Sequence, residues 1–344
     1  MFNWARLLEH DPAILTVVGM AKNAGKTVTL NYIQRHLHAQ GRTLGLTSIG
    51  RDGERFDSLT QLPKPSITVQ PGMILATGSK LIPNTHTLER VEKTGIHTPL
   101  GEIEIYRALQ EGQVILAGPS KNSEVKEVLG RLARHGAQCI LIDGAFNRQS
   151  SADPSLTHHV ILSSGATLSR DLEQVVQMTK SRVEQLTLPI CSEPDLLDKA
   201  KQMEAKVAWR CGSKFYEIPG VTALLTMEEW VELFAKGIST LFIKGAVSDA
   251  LGEALRRTEN PPNVILKDGS KIFLNPGLWK QLNSHGVSFE VVHPIQLLGV
   301  TVNPTFPGGK GFQAEELLNA MGRALDPLPV VDVLREKRFK ASRF

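Results

Sequence analysis

The sequence predicts an α/β fold built on a doubly wound parallel sheet, and three observations lead to this prediction. Short apolar runs alternate with helical stretches through the first half of the chain, which is typical of parallel strands joined by helices. The runs are apolar throughout rather than at every second residue, as expected for strands buried on both faces. A glycine-containing turn links the first run to the first helix. With 344 residues, of which 41% are hydrophobic, the chain is long enough for two domains.

The first domain is expected to span residues 1–188. Its predicted strands cover residues 13–18, 43–49, 114–117, 138–142 and 159–162, and its predicted helices cover residues 26–40, 123–135 and 169–184. Residues 63–108 lack a crossover helix, and short strands with a hairpin turning at Thr98-Pro99-Leu100-Gly101 predict a β-rich insertion there. An insertion at the carboxyl edge of an α/β sheet often shapes a site for a substrate or a partner.

A second, smaller α/β domain is predicted over residues 195–334, after a segment bounded by Pro189 and Pro194. Its predicted strands cover residues 240–243, 263–266, 288–292 and 298–302, and its predicted helices cover residues 227–236, 249–256, 276–284 and 314–324. It contains no second phosphate-binding motif. Residues 335–344 form a basic tail.

Charge and composition exclude several classes of protein. The net charge is +4, and the last ten residues carry five basic side chains against one acidic side chain, so the tail accounts for all of it. A protein that binds nucleic acid usually carries positive charge as a patch on its folded body, so we expect no nucleic-acid partner. No apolar run approaches 18 residues, and the N-terminus lacks the apolar core of a signal peptide. We therefore expect a cytoplasmic protein without a membrane span.

Cysteines and adjacent histidines give no sign of a metal site. Cys139, Cys191 and Cys211 are far apart and form neither a CxxC pair nor a disulfide framework. His158 and His159 are neighbours in a predicted strand, so their side chains are expected to point to opposite faces. A joint metal site of these two residues is not expected.

The turn between the first strand and the first helix has the composition of a phosphate-binding loop. It reads Gly19-Met20-Ala21-Lys22-Asn23-Ala24-Gly25-Lys26-Thr27, and with Val28 these residues form the candidate nucleotide site. Backbone N–H groups of such a loop and the N-terminus of the following helix together hold a phosphate. Lys26 is expected to bridge the β- and γ-phosphates as a catalytic residue, and the Thr27 hydroxyl to bind Mg²⁺. Since a strand precedes the motif and a helix follows it, the sequence predicts a P-loop NTPase fold.

Two aspartates are candidates for the chemistry around the phosphates. Asp143 ends an apolar strand, as the Walker B carboxylate does, and is expected to help hold Mg²⁺. Asp52 follows the second strand and is a candidate catalytic residue that orders the attacking water; the alternative is a polar turn. The expected nucleotide is ATP, with GTP as the alternative, since no NKxD-type guanine motif is evident. Residues 118–122 either line a cleft beside the γ-phosphate or form a plain turn, and residues 307–311 form either a mobile turn or a partner-contacting flap.

The spacing of the loop narrows the class of P-loop protein. Five residues separate Gly19 from Gly25, one more than in the common GxxxxGK[ST] motif. This longer spacing resembles that of dethiobiotin synthetase and its relatives, a class that includes the cobyrinate amidating enzymes. Some members carry an additional signature lysine early in the loop. Lys22 is one position out of register with that lysine and is not assigned its role.

Six segments of the chain are informative together: GMAKNAGKT from Gly19, LTSIGRDGE from Leu46, MILATG from Met73, ILAGPS from Ile115, LIDGAFNR from Leu141 and VTVNPT from Val300. In combination they resemble a narrower family, the nucleotide-binding subunit of the lysine 5,6-aminomutase reactivase. The resemblance implies a second, MutS-like ATPase subunit as partner. It implies an adenosylcobalamin-dependent aminomutase, acting on lysine or ornithine, as client. ATP hydrolysis would then drive the exchange of damaged cobalamin, because opening a closed site against a large bias needs several kcal/mol.

Two other functions stay open at the level of sequence. One is an ATP-dependent synthetase that phosphorylates a small carboxylic acid, as dethiobiotin synthetase and the cobyrinate amidating enzymes do. An amidating enzyme adds a glutaminase domain with a catalytic cysteine, and none of the three cysteines here has the sequence context of a nucleophile. The other is a nucleotide switch without a small-molecule substrate.

Overall fold

A computed structural model of the protein describes residues 2, 4–50, 66–82, 86–144, 152–218 and 224–339. Up to residue 144 its elements are α1 (Trp4–Leu7), β1 (Ala13–Gly19), α2 (Lys26–Ala39), β2 (Leu44–Ser48), β3 (Ile67–Val69), β4 (Ile74–Gly78), β5 (Leu88–Thr98), β6 (Gly101–Ala108), β7 (Gly112–Val114), α3 (Asn122–Arg134) and β8 (Cys139–Asp143).

The remaining elements follow in chain order. They are β9 (His159–Gly165), α4 (Leu172–Leu186), α5 (Pro194–Gln202), β10 (Val207–Cys211), β11 (Lys214–Glu217), α6 (Met227–Phe234), β12 (Thr240–Ile243), α7 (Asp249–Arg257), β13 (Asn263–Leu266), α8 (Pro276–Ser284), β14 (Phe289–Val291), β15 (Leu297–Asn303), α9 (Ala314–Leu325), β16 (Val330–Asp332) and β17 (Lys337–Arg338). In the described part of the chain, none of the helices is both long and apolar enough to cross a membrane.

The chain forms two compact units. Unit 1 comprises Met1–Val176 and Leu297–Phe344, and unit 2 comprises Gln177–Gln296. Unit 1 contains a ten-stranded sheet in the order β17-β16-β15-β9-β1-β8-β2-β4-β6-β5. The strands from β16 to β4 in this order are parallel to one another, so the predicted mixed α/β fold with a large, mostly parallel sheet is confirmed.

Helices cover both faces of the unit 1 sheet, and the composition of β8 shows why. Cys139 and Leu141 belong to a core on one face that includes Leu30 and Ile33 of α2. Ile140 and Ile142 belong to a second core on the other face, formed with residues of α3 such as Val128. Every second residue therefore enters a different core, and only a strand that is apolar throughout satisfies both faces.

The third parallel strand differs from its prediction. Residues 115–117 were expected to continue a parallel strand, but β7 ends at Val114 and pairs antiparallel with β3 in a separate two-stranded sheet. The place beside β2 is taken by β4, which runs parallel to β2. The predicted β-rich segment is present, with its hairpin between β5 and β6; β4, β6 and β5 extend one edge of the main sheet, whereas β3 lies in the two-stranded sheet with β7.

Unit 2 has its own sheet and core. Its five strands are ordered β11-β10-β12-β13-β14, with β12, β13 and β14 parallel and β10 and β11 antiparallel. Leu241 and Ile243 pack into a core with Trp230 and Trp279, and Phe242 packs into a second core on the opposite face. The alternation again explains why Leu241, Phe242 and Ile243 are all apolar.

The boundary of the second unit also differs from its prediction. Residues 298–302 and 314–324 were assigned to a second domain over 195–334, but β15 pairs in parallel with β9 in the unit 1 sheet. The reason is that β9 offers an unpaired edge to a buried apolar strand, whatever the distance along the sequence. The predicted tail begins inside the fold as well, because Lys337 and Arg338 pair with β16.

Candidate functional site

The loop formed by residues 19–27, hereafter the 19–27 loop, joins the carboxyl end of β1 to the first turn of α2. Asn23 has a φ of 60° and Gly25 a φ of 96°, so the chain passes through the left-handed region twice within three residues. Gly25 is the residue before α2, and its carbonyl accepts a hydrogen bond from Thr29 N at 2.9 Å. A residue with a side chain rarely adopts the backbone of Gly25, which explains the glycine at this position.

The stem of Lys26 lies over the start of the loop. A Cβ atom added to Gly19 would lie 2.8 Å from both Cγ and Cδ of Lys26, closer than side-chain atoms approach one another. Glycine at position 19 therefore leaves the space in which the lysine side chain folds back across the end of β1. This arrangement puts the flexible, cationic side chain on the same side of the helix N-terminus as the loop.

Asp143 lies at the carboxyl edge of the strand next to the loop. In the register of the sheet it is opposite Val17 of β1 on one side and Ser48 of β2 on the other. Gly144 N donates to the Val17 carbonyl at 3.0 Å, and the Asp143 carbonyl accepts from Ser48 Oγ at 3.0 Å. The backbone of the aspartate is thus fixed from both neighbouring strands, while its side chain is half-buried.

Three buried hydroxyl groups lie directly below the loop. Thr301 of β15 donates to Ser163 Oγ at 2.9 Å, Ser163 donates to Thr29 Oγ1 at 3.3 Å, and the oxygens of Thr29 and Thr301 are 2.8 Å apart. Met20 N also donates to the Ser163 carbonyl at 2.9 Å. Strands β9 and β15 therefore support both the first residues of the loop and the first turns of α2.

Asn303, the last residue of β15, contacts the loop itself. Its Nδ2 donates to the carbonyl oxygen of Asn23 at 3.0 Å, and its Oδ1 accepts from Thr305 N at 3.1 Å. A Cβ atom at Gly25 would lie 3.3 Å from the Cβ of Asn303. Sequence reasoning missed Thr301 and Asn303 as parts of this site because β15 was assigned to the second domain, and it missed Ser163 because the predicted strand ended at residue 162. The sequence signal that could have found Asn303 is an Asn-Pro pair closing an apolar strand.

The segment after β7 crosses the same edge of the sheet. Gly78 N donates to the Ala117 carbonyl at 3.2 Å, and Gly50 N donates to the Pro119 carbonyl at 2.9 Å. At Gly118 a Cβ atom would overlap the Ser48 carbonyl oxygen, which lies only 1.6 Å from its ideal position. Residues 118–122 therefore lie beside the ends of β4 and β2, on the edge that carries the 19–27 loop and Asp143.

Some candidate residues lie outside the described part of the chain. Asp52 and Arg51 fall in the range 51–65, and the end of the Walker B-like segment falls in 145–151. The remaining segments of the family resemblance are described. Residues 19–27, 73–78 and 300–305 contain the carboxyl ends of β1, β4 and β15 in one sheet, and residues 115–120 hydrogen-bond to Gly78 and Gly50 beside that edge.

The adjacent histidines occur at the opposite edge of the sheet. His158 Nδ1 accepts from Ile14 N at 3.2 Å, and the His10 ring stacks on His158 with centroids 4.0 Å apart. Burial, together with the positive charges of His10 and Arg6, lowers the pKa of His159 to about 4. No group of three or more His, Cys, Asp or Glu side chains within the described ranges has a geometry that could hold a metal ion.

Comparison with known proteins gives no matching family model, no similar curated protein and no similar solved structure. A loop of backbone amides at a helix N-terminus attracts anions, and a neighbouring carboxylate with a hydroxyl group at the loop end suits a hard cation such as Mg²⁺.

Proposed function

We propose that unit 1 binds ATP with Mg²⁺ at residues 19–28 and hydrolyses its terminal phosphate bond. The observation that carries this proposal is the double left-handed turn at Asn23 and Gly25, which opens a 14-residue helix at the carboxyl end of a central strand. Such a turn directs successive backbone N–H groups to one point, and the helix N-terminus adds a positive potential there. The glycine at position 19, which leaves room for the Lys26 side chain beside the end of β1, also supports the proposal.

Different residues of the chain would bind the phosphates, bind Mg²⁺ and order the attacking water. The N–H groups of the loop and the ammonium group of Lys26 hold the phosphates, and Thr27 and Asp143 hold Mg²⁺. The bound ion neutralises charge on the phosphate oxygens. Asp52 orders the attacking water, with the polar turn as its alternative role. ATP is proposed over GTP because the sequence has no guanine-reading motif of the NKxD type.

A calorimetric titration with MgATP and MgGTP tests the proposal. Lys26→Ala removes a charge-assisted contact and should weaken ATP binding by about tenfold to a hundredfold. Lys126→Ala is the matched control, because Lys126 is an exposed lysine on α3 away from the loop, and it should bind like the wild type. Equal affinity of the Lys26 and Lys126 variants would remove the phosphate-loop assignment.

We further propose that ATP hydrolysis by this chain, with a second MutS-like ATPase subunit, reactivates an adenosylcobalamin-dependent aminomutase. The support is the resemblance to the reactivase subunit and the fact that its described segments meet at one edge of one sheet. Nucleotide-dependent segments beside a phosphate loop are a known source of driven conformational change. A competing synthetase would use the same loop to phosphorylate a small carboxylic acid. A nucleotide switch would bind and hydrolyse ATP without a small-molecule substrate.

The discriminating assay starts from aminomutase inactivated by turnover. The enzyme receives fresh adenosylcobalamin, ATP and Mg²⁺, with and without both ATPase subunits. Recovery should require this chain and hydrolysable ATP, and should be lost with Lys26→Ala but not with Lys126→Ala. Recovery without this chain, together with ATP use in proportion to an added carboxylic acid, would favour the synthetase.

A further inference from the structure

The side-chain amide of Asn303 joins two segments that are far apart in the sequence. Its nitrogen donates to the Asn23 carbonyl of the 19–27 loop, and its oxygen accepts from Thr305 N in the segment after β15. Asparagine presents a donor and an acceptor on one planar group, so a single side chain can make both bonds at once. Few other residue types of this size could do so.

The amide contacts the loop at a residue with a left-handed backbone. Asn23 has a φ of 60°, in a region that residues with a side chain occupy less readily than glycine, although asparagine tolerates it better than most. Such a conformation persists only where the surroundings over-determine it. Asn303 contributes to that determination through its hydrogen bond to the Asn23 carbonyl.

The segment after Asn303 is a short hairpin, residues 304–312, here called the 304–312 hairpin. Thr305 pairs antiparallel with Gly311, Phe306 N donates to the Lys310 carbonyl at 2.9 Å, and Phe312 N donates to the Pro304 carbonyl at 2.9 Å. Lys310 is exposed at its tip. The hairpin is therefore ordered by its own hydrogen bonds and is connected to the loop by one amide.

We propose that Asn303 is a positioning residue that holds the 19–27 loop in its phosphate-binding conformation before nucleotide arrives, and that it couples the loop to the 304–312 hairpin. The proposal rests on the proposed function for its consequence in binding. A loop that visits its competent conformation only part of the time binds its ligand more weakly by that fraction. Loss of the amide should thus lower nucleotide affinity without removing any group that touches the nucleotide.

The first arm of the test uses the full chain without nucleotide. Asn303→Ala keeps the Cβ atom and removes both hydrogen bonds. Hydrogen exchange of amides 20–25 should become several-fold faster in this variant. The matched control is Asn275→Ala, since Asn275 Oδ1 caps α8 in unit 2 and the change deletes the same amide. It should leave exchange of the loop at the wild-type rate.

A second variant separates the two bonds. Asn303→Asp keeps an acceptor for Thr305 N but sets a carboxylate oxygen against the Asn23 carbonyl, so only the bond to the loop is lost. Exchange of residues 20–25 should rise as in Asn303→Ala, while tryptic cleavage after Lys310 stays at the wild-type rate. In Asn303→Ala both readouts should rise. Unchanged loop exchange in both variants would overturn the positioning role.

The second arm measures binding. Asn303→Ala should raise the Kd for MgATP and for MgADP by about two- to tenfold, the range for one neutral hydrogen bond, with kcat changed less than KM. A lower kcat at unchanged Kd would overturn the proposal in favour of a catalytic role. A lower melting temperature with unchanged Kd and unchanged loop exchange would reduce Asn303 to a stability residue. If the wild type binds no nucleotide, the proposed function fails, while the exchange arm still decides whether Asn303 positions the loop.

Discussion

The hydroxyl groups of Thr29 and Thr301 are 2.8 Å apart although 272 residues separate them in the sequence. Because Thr301 donates to Ser163 and Ser163 donates to Thr29, a proton of Thr29 directed at Thr301 closes a ring of three hydrogen bonds. All three residues are fully or almost fully buried. Each of the three hydroxyls then donates once and accepts once, so all three are paired.

Because the three hydroxyls are paired with one another, replacing one of the threonines by the isosteric valine is expected to lower the stability of the fold. Thr301→Val should lower the free energy of unfolding by about 1–3 kcal/mol, since it leaves two buried hydroxyls incompletely paired. Thr16→Val is the matched control, because Thr16 is equally buried and its hydroxyl has no hydrogen-bond partner among the described residues. Urea unfolding should find that control neutral or stabilised. An equal decrease in the free energy of unfolding of the two variants would show that the ring of hydroxyls contributes nothing to stability.

Gly25 and Gly136 offer a matched pair for the loop. Their φ angles are 96° and 97°, but nothing lies within 4 Å of a Cβ atom at Gly136, whereas one at Gly25 would press on Asn303. Alanine at either position should cost about 1–2 kcal/mol of stability through backbone strain. Only Gly25→Ala should also reduce ATP binding, as measured by calorimetry. Loss of binding in both variants would point to a general effect of unfolding instead of the loop.

Asp143→Asn is expected to change the metal dependence of hydrolysis. The amide keeps the size and the backbone contacts of the aspartate but removes the charge that favours Mg²⁺. Half-maximal ATPase activity should therefore need a several-fold higher Mg²⁺ concentration. Asp195→Asn, an exposed change in the first turn of α5, serves as the control. Superimposable magnesium titrations for all three proteins would exclude Asp143 from the metal site.

His159 predicts a loss of stability in acid. Its pKa is about 4 in the fold, below the ordinary value of 6.5, chiefly because it is buried. A lowered pKa contributes stability above pH 6.5 that is lost as the pH falls from 6.5 towards 4. His159→Phe should reduce the difference between urea midpoints at pH 7.5 and pH 5, and His97→Phe, on the exposed side of β5, should not. A pH difference that is unchanged by His159→Phe would assign the acid effect to other groups.

Local pattern was enough to predict most elements of the fold but not their partners. The apolar runs identified β1, β8 and β9, and the hairpin at Thr98–Gly101 followed from its turn residues. Which strand lies beside β2 depends on competition between two apolar segments, and β4 takes the place that residues 114–117 were expected to fill. Sequence spacing carries no information on such competition.

The same limit applies to the candidate site. The 19–27 loop can be recognised from the sequence because its residues are contiguous and its flanking strand and helix are adjacent in the chain. The roles of Asn303 and Thr301 cannot be recognised from the sequence in this way. Their hydrogen-bond partners, Asn23 and Thr29, come from the other end of the sequence. Only the pairing of β15 with β9 brings these residues to the loop.

The return of the chain to its first sheet has a consequence for biosynthesis. A ribosome releases β1, α2 and β9 long before it has made β15, so a nascent chain carries the 19–27 loop without the residues that brace it. Until then the edge of β9 is open to pairing with other strands, which makes an interrupted chain prone to aggregate. The 19–27 loop therefore gains its hydrogen bond from Asn303 only after residue 303 has been translated.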